Sequence, residues 1–169
     1  FCVNNSPGHI PYDNPQPVII QIRNFIIHLR LHYQFFILSG GFLLGALFAE
    51  DVNWLNYLEQ FLVIHVLLFG GATAYNSYWD RDEGPVGGIK SPPRMYRWMW
   101  LASLNMQFAG YLFVMDEGWL YFLLYTFSFL LFWVYSSPLF RWKSRPALSL
   151  VAIGFSTGTN SFLLGYLAA

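Results

Sequence analysis

The stretch "YNSYWDRDEGPVGGIKSPP", Tyr75 to Pro93, closes a long apolar run and carries Asn76, Asp80, Asp82 and Glu83. On a helix continued through Glu83, the residues Asn76, Asp80 and Glu83 stand i, i+4 and i+7 apart and share one face, while Asp82 turns away. Three oxygen-bearing side chains on one face suit a hard cation. Mg²⁺ commonly takes one or two carboxylates and completes its shell with water and substrate phosphate, so Asn76, Asp80 and Glu83 are the expected metal ligands. Gly84, Pro85, Gly87 and Gly88 end the helix and let backbone N–H groups approach an anion. Lys90 and Arg94 follow as charge partners for phosphate oxygens. A plain basic loop with helix-capping charges would account for the cations alone. Acidic residues add little to topology, and Asn76 inside an apolar run is costly without a partner.

The elements that position these groups follow from composition. The chain has 169 residues, 56% of them apolar and 11% charged, far below the charged quarter usual in soluble domains. Several windows reach the roughly 20 apolar residues that cross a bilayer as a helix, and none shows the strand alternation of a membrane barrel. An all-α polytopic membrane protein is expected. Nine basic against nine acidic residues give no sign of nucleic-acid binding, and Cys2, the single cysteine, belongs to no zinc or disulfide pattern. Residues 1–17 read as an irregular, proline-rich arm and 18–30 as an amphipathic helix at the interface. Five spans are expected at about 31–49, 55–78, 98–115, 119–136 and 147–168. Phe1 opens the chain and Ala169 ends it at an apolar run, which points to part of a longer chain.

The charges orient these spans. All nine basic residues fall before the first span or in the loops after the second and fourth, while Glu50, Asp51, Glu59, Asp116 and Glu117 occupy the opposite side. Basic loops stay cytoplasmic. A multi-pass protein of the inner (cytoplasmic) membrane is therefore expected, with its amino terminus and both polar loops in the cytoplasm.

The second polar loop, "YSSPLFRWKSRP", adds Tyr135, Arg141, Lys143 and Arg145 on that same side. With it, the sequence resembles the UbiA superfamily of intramembrane prenyltransferases over about residues 20–169. Asn76 and Asp80 match the first two positions of the family's NxxxDxxxD motif. The third falls on Gly84, so Glu83 or Asp82 would have to substitute. Tyr135, Arg141 and Lys143 take positions of the motif after the fourth helix, close to the "YSxPPxxxK" form of the chlorophyll-synthase-like branch. "RLHYQFFILSGGFLLGALFA" is similar to the family's first helix, with a basic residue at its entry. The resemblance implies a nine-helix bundle, of which this chain supplies helices one to five, with the second acidic motif beyond Ala169. It also implies Mg²⁺ as cofactor, a prenyl diphosphate and a lipophilic acceptor as substrates, and the bilayer as surroundings. Asp80, Lys143 and Tyr135 are then the expected catalytic residues, and Lys90, Arg94, Arg141 and Arg145 the expected diphosphate contacts.

The reaction that fits these groups draws charge off a leaving diphosphate while an allylic cation forms, with aromatic faces to stabilise it. Two other classes stay open. His28, His32 and His65 could ligate a haem or a chlorophyll-type pigment, which would make the chain a structural subunit of a larger membrane complex. Gly84 in place of the usual aspartate would also suit a non-catalytic homologue kept for assembly.

Overall fold

The computed structural model describes residues 16–80 and 84–169. Arg81, Asp82 and Glu83, and with them the expected third metal ligand, lie outside the described residues, as does most of the amino-terminal arm. Among the described residues the protein is helical, with no strand beyond an isolated bridge between Val86 and Ile89.

The first helix, α1 (Val18–Leu29), starts after Pro17 and stops at Arg30, whose backbone is left-handed at φ 49°. Asn24 and His28 are buried, while Val18, Ile19, Ile22 and Ile26 are exposed together with Arg23. An outward apolar face beside an exposed basic residue suits a bilayer interface. Helix α2 (residues 31–46) follows directly through the segments Leu31–Tyr33, Gln34–Leu38 and Gly40–Ala46. Helix α3 (Trp54–Asp80) begins at Asn53, whose side chain accepts from Asn56 N–H. A tight turn at Gly118, φ 94°, follows α4 (Arg97–Val114) and leads into α5 (Trp119–Ser136). Helix α6 (Pro146–Ala168) starts on a proline, whose missing N–H costs nothing in a first turn.

Among the described residues three helices, α3, α5 and α6, are long and apolar enough to cross a membrane. Five spans were expected. Helix α4 has 18 residues, but Arg97, Asn105 and Gln107 keep it more polar than the other three. Helix α2 stops at Ala46 and reaches about 24 Å at 1.5 Å per residue, short of a ~30 Å hydrocarbon core.

Helix α3 is the centre of the bundle, 61% buried over its apolar window against 28% for α5 and α6. The core gathers Phe42, Tyr57, Ile64, Phe69, Tyr125 and Leu164, while Leu112, Trp119 and Leu150 face outward. Helices α2 and α6 cross on glycine. A Cβ on Gly165 would fall on the Phe42 carbonyl, and one on Gly45 on the backbone between Phe162 and Tyr166. Such close approach is how helices associate where lipid removes the hydrophobic drive. Gly165→Leu is expected to destabilise the bundle by about 1–3 kcal/mol, the usual cost of overpacking. Gly154→Ala, whose added carbon would meet nothing within 4 Å, should leave the melting temperature in detergent unchanged. Equal melting curves for the two variants would refute the tight crossing.

Three helices carry wide π turns, at Gln34–Leu38, Val63–Gly70 and Gly154–Thr159. Such turns are rare and gather at functional sites. All three border the same cavity.

Candidate functional site

The cavity has a volume of about 310 Å³ and lies between α2, α3, α5 and α6. Chain direction orders its wall. Arg30, Asn76, Gly87 and Ser136 stand at the mouth, while Leu38, Phe69, Phe132 and Ser156 lie one to two turns deeper. Phe69 and Phe132 meet edge to face at 5.4 Å. The depth is thus mostly apolar and the mouth polar, and the size is that of a small-molecule site.

At the mouth the two polar loops meet. Asn76 and Asp80 occupy one face of the last turns of α3, and Asn76 Nδ2 donates to Asp80 Oδ2 at 2.7 Å. Lys143 comes from a short turn, Trp142–Ser144, between the left-handed Arg141 and Pro146. Its ammonium donates to Asn76 Oδ1 at 2.8 Å and to Asp80 Oδ1. Ser136, the last residue of α5 and buried, donates its hydroxyl proton to Asn76 Oδ1 at 2.9 Å. The Asp80 and Lys143 side chains keep 21% and 12% of their surface exposed, so the pair sits at a partly wet opening. An ion pair there gains more than at a free surface without the full desolvation cost of a core.

Oxygens from Asn76 and Asp80 already converge on a cation, the ammonium. They are hard donors and fit Mg²⁺. Among the described residues no group of three His, Cys, Asp or Glu stands ready to hold a metal unaided. A divalent ion at Asn76 and Asp80 would need water and substrate phosphate to complete its shell, which is how Mg²⁺ usually binds.

The other expected site residues separate into two groups. Tyr135 lines the cavity half-buried, but the Lys143 ammonium is held by Asn76 and Asp80 rather than by Tyr135. Lys90, Arg94, Arg141 and Arg145 are exposed and are not part of the cavity wall. Arg94 packs its guanidinium 5.9 Å from the Tyr96 ring.

Among the described residues the cation on the wall is Arg30, 8% exposed, with Nη2 donating to Ser77 Oγ at 3.0 Å. A non-glycine residue at positive φ is uncommon and often marks a functional position. The loop from Gly84 onward lies against it. Val86 and Ile89 exchange two hydrogen bonds of 2.9 Å around Gly87 (φ 51°) and Gly88 (φ 83°). A Cβ on Gly87 would strike the Arg30 guanidinium, and one on Gly88 would meet His32 Nε2 at 2.8 Å. Only glycine combines those dihedrals with that approach. His28 Nε2 donates to the Pro93 carbonyl at 2.7 Å and Trp98 Nε1 to Gln21 Oε1 at 2.7 Å, tying the far end of the loop to α1.

Sequence reasoning placed Arg30 only as an entry charge and Ser136 only as part of a motif. The amphipathic helix was expected to run through residue 30, and nothing local marks the break at Arg30. His65 is fully buried, and its Nδ1 donates to the Phe61 carbonyl at 2.7 Å. Its ring is stacked on Phe61 at 4.2 Å and edged by Phe42 and Phe69. No protein family, no curated protein sequence and no solved structure matches the chain.

Proposed function

We propose that the chain is the first part of a UbiA-type intramembrane prenyltransferase, with residues 31–46 and α3 to α6 as its first five helices and the cavity mouth facing the cytoplasm. One observation carries this reading. Lys143, from the second polar loop, meets Asn76, which lines the polar mouth of an apolar cavity, and Asp80, one turn beyond it. Two motifs more than sixty residues apart need not converge if each merely anchors a loop.

A prenyl diphosphate has an anionic head and an apolar tail, and the cavity is polar and apolar in the same order. When bound at Asn76 and Asp80, Mg²⁺ supplies charge to a leaving diphosphate. Ser136 fixes the Asn76 amide so that its oxygen faces the head-group position. Arg30 and Lys143 place two cations around that position, which favours a multiply charged leaving group. Phe69, Phe132 and Tyr135 present rings along the tail's path and shield a developing allylic cation from water.

A pigment or haem ligand at His65 fits less well. Phe42, Phe61 and Phe69 already fill the space around that ring, and a planar macrocycle would have to displace them.

Purified protein in detergent is expected to bind geranylgeranyl diphosphate only with Mg²⁺, and Asp80→Ala to lose that binding. Binding indifferent to both Mg²⁺ and Asp80, repeated with a shorter prenyl diphosphate, would sink the enzyme reading. The fold would then be a packing or assembly subunit.

A further inference from the structure

The Lys143 ammonium occupies the place a divalent cation needs. It touches Asn76 Oδ1 and Asp80 Oδ1, the two oxygens best placed to ligate a metal, at a mouth where both side chains are mostly withdrawn from water. A divalent ion on the same two oxygens would meet the ammonium at contact distance, where like charges repel strongly unless another anion screens them. Among the described residues, Ser136 and Asp80 hold the Asn76 amide from both ends and stand on helices. Lys143 instead rides on a short turn of three residues, opened by left-handed Arg141 and closed by Pro146.

Resting on the reading of Asn76 and Asp80 as cation ligands, we infer that Lys143 is a built-in placeholder for the metal, displaced when a divalent ion binds and then free to hold the diphosphate. The ammonium keeps the ligand oxygens converged and charge-balanced until a metal takes its place. A metal arriving alone must break that ion pair and strand the lysine. A metal arriving with a diphosphate does not, because the phosphate oxygens give the ammonium a new partner. The site therefore favours the metal–diphosphate pair over either alone, a coupling through one side chain.

The chain contains two lysines, Lys90 and Lys143. Lys90 is exposed in the loop and lies off the cavity wall, so it serves as an internal standard. Full-length protein in lipid nanodiscs would be titrated with Mn²⁺ alone, read by the electron-spin-resonance signal of the free ion. Lys143→Met keeps the length and removes the charge, and is expected to bind Mn²⁺ about tenfold more tightly than the wild type, a coupling of ordinary size. Asp80→Asn should bind it more weakly than either.

In the unmutated protein, brief acetylation read by peptide mass spectrometry should label Lys143 faster once Mn²⁺ is added, with Lys90 unchanged. Suppose Mn²⁺ binding is lost in Asp80→Asn, yet Lys143→Met binds no tighter and Lys143 labelling ignores the ion. The placeholder is then wrong and the cation site stands. If neither the wild type nor Lys143→Met binds Mn²⁺ in an Asp80-dependent way, both fall.

Discussion

Asp80→Asn is expected to lower prenyl transfer by at least about 10²-fold, the scale on which removing one preorganised charge-stabilising group slows an enzyme. The substitution keeps the size and shape of the side chain, so the bundle should survive it. What changes is charge. Asp80 is the carboxylate at which Asn76 Nδ2, from α3, and the Lys143 ammonium, from the loop after α5, converge. An amide there can still accept a hydrogen bond from Lys143, but it offers a metal one neutral oxygen in place of a charged pair.

The loss should appear in KM as well as kcat, because the same carboxylate holds the metal that binds the diphosphate and faces the charge that builds as the bond breaks. Raising Mg²⁺ should recover part of the rate, since weaker ligation is overcome by concentration. Steady-state transfer measured over a Mg²⁺ series, together with a thermal melt, decides the matter. A variant with unchanged melting and unchanged kcat would remove Asp80 from the chemistry.

How far these features were legible in the sequence depends on their range. Helix α5 was expected at 119–136 and is found at Trp119–Ser136; a uniformly apolar run between a glycine turn and a proline-containing loop leaves little freedom. Asn76 and Asp80 were legible as a pair because a helix fixes i and i+4 together. The expected first span ran to 49, but the helix ends at Ala46, and apolarity alone could not show that Leu47 to Ala49 turn out of it.

The π turns are invisible to periodicity, since one extra residue in a run of apolar side chains leaves the pattern unbroken. Ser136 reaching Asn76, and Arg30 reaching Ser77, are contacts across 60 and 47 residues. No local pattern encodes them. The exposed cations Lys90, Arg94, Arg141 and Arg145 share a difficulty of the opposite kind. Their type suits a phosphate, and only the placement of the wall tells them from Arg30.

That difference sets the second large effect. Arg30→Gln is expected to weaken binding of a prenyl diphosphate by about 10- to 100-fold, whereas Lys90→Gln, Arg94→Gln or Arg145→Gln should each change it less than about threefold. The guanidinium is almost wholly buried at the cavity mouth, where charge is weakly screened and each contact to an anion counts for more. The three exposed cations act through water, and the field of one such charge largely fades over a Debye length of about 8 Å at physiological salt.

Arg30 also carries a structural load, because Gly87 packs on its guanidinium and Ser77 accepts from it. A weaker-binding variant could therefore reflect a displaced loop. Arg30→Lys separates the two roles. It keeps the charge but loses the planar fork that reaches Ser77 while facing the cavity. If charge at the mouth is what matters, Arg30→Lys should recover much of the affinity lost in Arg30→Gln, and the residual binding of the glutamine variant should depend less on salt than that of the wild type. If lysine is as poor as glutamine and the salt dependence of all three proteins is the same, Arg30 serves the loop and not the ligand.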